Sequence, residues 1–544
     1  MRNNLKNLSR LINKKIAKRI AIYLFSLLLI TLLLTQDWSI NVNGWKQFKI
    51  NVINIFNPTN QSTYNDTNES YNLFLTSLAF LWISIKYTLV GTFLGFFLAI
   101  ITSFFASIFF SNKIIEKFSL FFTLLIRCVP ELLYIYLFSS IFNSYLALCF
   151  IMFFFSWIWI HKYLLEILNS VDLKNYNISC LQGNSKIKSF FIKIYPIIKN
   201  RYLERFLYSF ESNLRWGSIV SLIGLPGIGI LIKYAQESVT TFNQFLIPSL
   251  ILWFFLVFLE LINLLFKRFL FEDINRKFNE NRIIFNLRNI ILKILFIILL
   301  SFCIYILSGI EFRVIYSKAL INKLKSIFYI KASVFFINNP LEENIYYSIW
   351  QSVSFSLVCA ALSILFSIFW VRFSNIHLNK RWLFLSFRSL NTFFRSIPII
   401  IIFYILNPLF NNPILLLIFI LAMHKSLSFA KQMTQSVDSI NKNIINNLKM
   451  QMHSNSWIFY KYILVKLRAE YVSIFLIALE LSFRYSLTYS IIASDNLIIG
   501  SKIANIFNEK INDISLYTPY LWISILLIFL LNLISFKFSK NKKL

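Results

Sequence analysis

An all-α polytopic membrane protein of about twelve transmembrane helices, in two homologous six-helix halves, is the fold class this sequence predicts. Three observations carry the expectation. Hydrophobic residues make up 57% of the 544 residues and charged residues only 14%, whereas soluble domains carry about a quarter charged residues. The mean hydropathy is +0.65, and the apolar residues fall in runs long enough to cross a hydrocarbon layer of roughly 30 Å as helices. Basic residues gather in short stretches between those runs. Backbone groups in lipid must be satisfied within their own segment, which leaves a helical bundle as the form. The composition excludes a disordered, collagen-like or disulfide-rich secreted chain. It also argues against a soluble enzyme, because so few polar groups cannot cover a water-facing surface.

The elements follow in order. Residues 1–19 carry Arg2, Lys6, Arg10, Lys14, Lys15, Lys18 and Arg19 and no acid, and an apolar run spans 20–35. Thr35-Gln36-Asp37-Trp38 is a poor cleavage site, so the run reads as an uncleaved first helix with its N-terminus in the cytoplasm. The stretch from Asn57 to Ser70, rich in Asn, Ser and Thr, reads as an outer loop. Further runs near 76–110, 118–142, 144–164, 203–224 and 244–266 complete a first half, 1–270. A charged break from Lys267 to Lys293 follows, and runs near 294–310, 346–371, 384–407, 412–430, 470–493 and 518–536 form a second half, 271–544.

The net charge of +31 reads as the positive-inside rule written over many loops. The expected inner loops include 165–200, with Lys174, Lys186, Lys188, Lys193 and Lys199, and 431–469, with Lys431, Lys442, Lys449, Lys461, Lys466 and Arg468. The tail adds Lys537, Lys540, Lys542 and Lys543, which places both termini in the cytoplasm and the chain in the cell membrane. Loop 311–345, expected outside, carries Arg313, Lys318, Lys323, Lys325 and Lys331 against this pattern, and the other loops outweigh it. No polar domain with a basic face exists, so a nucleic acid is not an expected partner. Cys128, Cys149, Cys180, Cys303 and Cys359 lie far apart, and His161, His377, His424 and His453 are scattered, which suggests neither a disulfide framework nor a metal site.

The halves repeat each other. Arg127-Cys128-Val129-Pro130 matches Arg395-Ser396-Ile397-Pro398 at an offset of 268. Val171-Asp172 matches Val437-Asp438 at 266, and Glu211-x-x-x-Arg215 matches Glu480-x-x-x-Arg484 at 269. Three matches in one order at a nearly constant offset indicate a tandem duplication, a common transporter plan.

Two segments stand out beside these. Arg127-Cys128-Val129-Pro130-Glu131-Leu132 opens a helix, and Phe210-Glu211-Ser212-Asn213-Leu214-Arg215 is followed by Gly224-Leu225-Pro226-Gly227-Ile228-Gly229. On these residues the sequence resembles the permease subunits of ABC importers, specifically the phosphonate-type family, in a fused, double-length form like that of the mollicute high-affinity transport system. The resemblance covers about 75–266 well and 345–537 faintly. Such permeases carry a cytoplasmic loop of pattern Glu-Ala-Ala-x3-Gly-x9-Ile-x-Leu-Pro. Gly183 and Pro196 have its spacing of 13, while the Glu-Ala-Ala positions fall on Asn177, Ile178 and Ser179. In the second half the equivalents of Gly183 and Pro196 are Met452 and Val465, and the Gly-rich stretch becomes Ala493 to Gly500.

The resemblance implies the ABC importer permease fold and a division of labour. ATPase subunits on the cytoplasmic side bind ATP and dock on loop 166–200 around Gly183 and on loop 439–468. An extracytoplasmic binding protein delivers the solute, and the two halves rock to alternate access. The chain itself needs no cofactor and does no covalent chemistry. It contains no Gly-x4-Gly-Lys-Ser/Thr, so it lacks the backbone cradle for nucleotide phosphates.

The deep charges are the candidate pathway residues: Arg127, Glu131, Glu211, Arg215, Arg395, Glu480 and Arg484. An unpaired charge in a bilayer costs at least about 2.5–3.5 kcal/mol, so each needs a partner or a wet cavity. Glu211 with Arg215, Glu480 with Arg484 and Arg127 with Glu131 stand one helical turn apart, which suits pairing. Arg395 stands opposite Ile399 and lacks that partner. Each pair reads either as an ion pair stitching helices together or as part of a substrate path. Gly224, Gly227 and Gly229 read either as close helix packing or as a gate. The excess of Arg over Glu, which Glu260 could cancel, suggests a phosphonate or organophosphate-type anion, because a guanidinium donates in pairs to such oxygens. In that reading Arg395 borders the path; in the other it pairs with a Glu of another helix, Glu211 or Glu480. Other ABC importer families, such as those for amino acids, a secondary transporter and a membrane-embedded transferase are the alternatives. An enzyme should show clustered carboxylates or His in an outer loop.

Overall fold

A computed structural model describes residues 26–35, 38–64, 71–107, 109, 113–266, 280–313, 321, 324–336, 340, 343–493, 496–507 and 514–540. The basic residues 1–19, the first six residues of the run 20–35 and the last residues of the tail lie outside these. So do residues 267–279 of the charged break.

The described residues are almost wholly helical. A helical stretch at 26–34 comes first. The helices of the first half are then α1 (Val42–Phe56), α2 (Leu73–Phe105), α3 (Lys113–Cys128), α4 (Glu131–Ile141), α5 (Ser144–Asn169), α6 (Lys174–Leu181), α7 (Tyr195–Val220), α8 (Gly229–Gln236) and α9 (Leu246–Phe266). The second half supplies α10 (Glu280–Ser308), α11 (Ile345–Phe373), α12 (Arg381–Ser396), α13 (Ile399–Leu406), α14 (Pro413–Asp438), α15 (Lys442–Met450), α16 (Arg468–Thr488), α17 (Ile498–Asn505) and α18 (Thr518–Lys540). One small antiparallel pair, Gln61–Ser62 with Tyr71–Asn72, precedes α2.

Eight of these helices are long and apolar enough to cross a membrane, or ten if each of two bent pairs counts as one span. They take in ten of the twelve expected runs. The described part of the run at 20–35, residues 26–35, is helical to residue 34 and too short to be counted among them. The run at 203–224 is α7, which starts eight residues earlier, at Tyr195, and is too polar to qualify. Its first turns carry exposed Arg201 and Arg205. Its later turns bury Glu211 against other helices rather than facing lipid.

The bends have a local cause. Pro130 and Pro398 have no N–H to donate and disfavour helical backbone at the residue before them. Both sit in extended backbone, with φ −60° and ψ 140° at Pro130 and φ −62° and ψ 136° at Pro398. The helix axes turn by 82° between α3 and α4 and by 75° between α12 and the segment from Ile399.

Long helices pack in matching sets: α2 with α5, α7 and α9, and α11 with α14 and α16, with α16 against α18. Gly91 and Gly95 set the closest crossing. A Cβ on either would come within 2.5 Å of a carbonyl of α5, at Cys149 and Phe153, the small-x3-small packing found between membrane helices. The central core draws on both halves, with Ile151 and Val220 against Phe355 and Ile418. The bent pairs cross over: Cys128 and Leu132 are buried with Phe483, Ile503 and Tyr520 of the second half. Likewise α10, at the start of the second half, lies on α2, where Phe296 meets Phe93 at 5.9 Å and Phe302 meets Trp82 at 6.0 Å.

Helix α1 lies across one end of the bundle. Its Asn41 side chain caps it by accepting from Gly44 N–H at 3.0 Å. The Asn41 amide donates to Leu409 O at 3.0 Å, and Asn54 Nδ2 donates to Val239 O at 3.1 Å, so α1 touches both halves.

Candidate functional site

The seven deep charges form two clusters, and each is built from both halves. In one, Arg127 at the end of α3 donates through Nη2 to both oxygens of Glu480 on α16, at 2.8 Å each. Arg484, one turn on, donates to Glu480 Oε1 from Nη2 at 3.2 Å and closes the group by donating to the Arg127 carbonyl. Glu480 is fully buried. The Trp159 ring lies against both cations, 5.0 Å from the Arg127 guanidinium carbon and 5.5 Å from that of Arg484.

The other cluster repeats this with the halves exchanged. Arg215 pairs with Glu211 within α7, and its Nη1 donates to the Arg395 carbonyl at 3.1 Å. Arg395, at the end of α12, donates to Glu211 Oε1 at 3.4 Å and pairs more closely with Glu260 of α9. Asn263 Nδ2 holds the second Glu211 oxygen at 2.8 Å, and Lys431 Nζ reaches Glu260 Oε1 at 3.1 Å. Paired carboxylates and guanidiniums buried together avoid the desolvation penalty that either alone would carry.

One expectation is corrected here. Arg127 and Glu131 are not a one-turn pair, because the bend at Pro130 puts them on different helices. Glu131 instead accepts from Trp159 Nε1 at 3.3 Å. Arg395, which has no partner one turn on, meets Glu211 of another helix, as one of its two readings expected, and Glu260 as well, and is 1% exposed. The repeat of Val-Asp also diverges in use. Asp438 forms an ion pair with Arg388 at 2.8 Å, whereas Asp172 accepts from the Lys174 amide at 3.0 Å at the start of α6.

Trp159, Glu260, Asn263 and Lys431 are cluster members that the motif search passed over or left aside. Lys162 and Lys431 stand 269 apart, the offset of the Glu-x3-Arg motif, and that was the signal available. A narrow pocket of about 10 Å3 lies beside the first cluster, lined by Arg127, Glu131, Tyr134, Trp159, Trp216 and Arg484. That is space for about one water.

The glycines divide by position. A Cβ on Gly229 would meet Ser218 O at 2.1 Å, and one on Gly500 would meet Leu487 O at 2.3 Å. Ser218 and Leu487 are also 269 apart, so the second half keeps one close-packing glycine at the same place. Gly227 is similarly tight against Ser221 Oγ, at 2.4 Å, while Gly224 opens onto free space. These positions pack the turn after α7 against its own helix.

The two basic loops match as well. α6 ends in Gly183, at φ +86°, before a short helix and a π-helical turn over Phe190–Ile194 that leads into α7. Asn177 lies within α6, and Pro196 opens α7. α15 ends in Met452, at φ +61°, before a π-helical turn over Ile458–Ile463. The glycine is lost in the second loop, yet the left-handed turn persists on a residue that disfavours it. Leu181, Met450 and Met452 are 88%, 80% and 92% exposed, so both loops present apolar side chains outward.

This arrangement, helical spans bent at proline and crossed by ion pairs between halves, is that of an all-α multi-pass membrane protein. Residues 91–272 match the family described as binding-protein-dependent transport system inner membrane component, a stretch that takes in Arg127, α6, Gly183 and the Glu211–Arg215 pair. The chain is 29% identical over 508 residues to the ABC transport system permease protein p69 of Mycoplasma genitalium, covering 90% of each. It is 26% identical over 483 residues to the protein of the same name from Mycoplasma pneumoniae, covering 86% of this chain and 85% of that one. No solved structure matches.

Proposed function

We propose that this chain is the transmembrane component of an ATP-driven, binding-protein-dependent uptake system, with ATPase subunits docked on its two basic loops and a binding protein on the opposite face. The observation that carries the proposal is the pair of left-handed turns at Gly183 and Met452, each between short helices that end in exposed apolar side chains. In this reading both termini and both loops are cytoplasmic, ATP is bound by the partner subunits, and the halves 1–270 and 271–544 act as two repeats that rock about the crossed ion pairs. The transported solute is a small anion of phosphonate or organophosphate type. Its support is the residual basic charge around the clusters. Arg127, Lys162, Arg215, Arg395, Lys425, Lys431 and Arg484, seven cations, stand against five carboxylates, Glu131, Glu166, Glu211, Glu260 and Glu480. The pairing of Arg395 makes it a shared ligand of two carboxylates, which binds an anion only after the pair opens.

The test begins with topology. In a cysteine-free background, a cysteine at Ser185 should resist an impermeant thiol reagent in intact cells and react after permeabilisation. Labelling from outside would overturn the orientation. Gly183→Trp should then cut ATP-dependent uptake and ATPase co-purification while leaving the membrane level of the protein unchanged. Normal uptake by that variant would refute the docking assignment. Uptake of methylphosphonate that survives Arg395→Gln at the parent rate would refute the anion path.

A further inference from the structure

A second pocket lies at the end of the bundle away from the basic loops. The 26-residue helix α5 leads from Ser144 down to the α6 loop, and the equally long α7 returns from it to the turn at Gly224. The pocket is past that turn. Its volume is about 250 Å3 and three segments meet in it: α1 with Gln47 and Asn51, the stretch from Gln236 to Phe242, and Tyr404 to Pro408 of the second half.

Its chemistry differs from that of the central clusters. The charged residue in the lining is Glu237, which is exposed, and no Lys or Arg lines it. Asn51 is 3% exposed, yet its Oδ1 has no hydrogen-bond partner. A buried amide oxygen without a donor costs about 1–3 kcal/mol, so the site lacks a donor rather than an acceptor. Gln47, Gln236 and Asn407 add further amides, and the buried rings of Phe242 and Tyr404 form part of the wall. A carboxylate, an unsatisfied amide oxygen and aromatic faces together suit a cation with N–H or O–H donors. An anion would find no positive partner here.

We infer that this pocket is a binding site for a small organic ammonium ion, separate from the central charge clusters. Glu237 supplies the counter-charge and Asn51 the buried acceptor. Because α1, the first half and the second half each contribute side chains, an occupant bridges the two halves at this face. The site goes beyond the proposed transport role and stands whether or not the transported solute is an anion.

Equilibrium dialysis of radiolabelled choline against the full-length protein in dodecyl maltoside tests it directly. Saturable binding of one choline per chain is expected, displaced by tetramethylammonium and not by inorganic phosphate. Glu237→Gln should weaken it by at least about ten-fold, the scale of a lost charge-assisted contact, and Glu237→Lys should abolish it. Both variants should keep the parental thermal midpoint, because Glu237 is exposed. Absence of saturable binding by the parent, an unchanged affinity in Glu237→Gln, or displacement by phosphate as effective as by tetramethylammonium would each overturn the assignment.

Discussion

Arg127 and Glu480 are 353 residues apart in sequence and 2.8 Å apart in the core, where one guanidinium nitrogen meets both carboxylate oxygens. The pair joins the bend of the first half to the long helix α16 of the second. Arg395 and Glu211 make the reciprocal contact across 184 residues. Arg127 and Arg395 each find their carboxylates in the other half.

Within the first cluster the two partners are not equal. Replacing Arg127 with Gln leaves Glu480 paired to Arg484, whereas replacing Glu480 with Gln strands two cations. Glu480→Gln should therefore cost about 3–5 kcal/mol, the range for breaking a buried pair, and Arg127→Gln clearly less. Thermal midpoints of the purified variants report the order, and the reverse order would contradict the geometry.

The second cluster has a spare carboxylate. With Glu211 replaced by Gln, Arg395 still meets Glu260, so the loss should be smaller than for Glu480→Gln. A double replacement, Glu211→Gln with Glu260→Gln, should exceed the sum of the single losses by about 0.5–3 kcal/mol, as contacting sites do. Additive midpoint shifts would mean that the two carboxylates act independently.

Met452 holds a left-handed backbone that costs a non-glycine residue about 1–2 kcal/mol. Met452→Gly should relieve that strain and slow amide exchange in α15. Gly183→Ala, at a turn where a Cβ meets nothing within 4 Å, should do the opposite in α6 through backbone strain alone. Hydrogen exchange followed by mass spectrometry reads both.

A Cβ at Gly44 would sit 1.7 Å from Pro408 O. Gly44→Val should therefore push α1 off the second half and speed exchange of the Asn41 and Asn411 amides, which bond to Leu409 O and Ser39 O. Unchanged exchange at both would show that α1 is held from its other end.

Much of the architecture was legible in the sequence. Hydropathy located ten of the spans, and the nearly constant offset paired Arg127 with Arg395, Glu211 with Glu480 and Arg215 with Arg484 as corresponding positions. The contacts were not legible, for a physical reason. Reading Arg127 and Glu131 as neighbours assumed one continuous helix, and Pro130 in their midst breaks it through 82°. For Arg395 the sequence offered Glu211 or Glu480 without deciding between them, and the closer partner, Glu260, comes from α9, far from it in the chain. The start of α7 was misplaced because its first turns are charged and exposed, and hydropathy cannot see a helix beyond its apolar part.

The reciprocal pairs also constrain how this sequence can drift. A reversal of charge at position 127 would set two carboxylates together unless position 480 changed too, and one at 395 would do the same against 211 and 260. Among homologues these positions should therefore covary across the full length of the chain, together with the one-turn pairs at 211 and 215 and at 480 and 484.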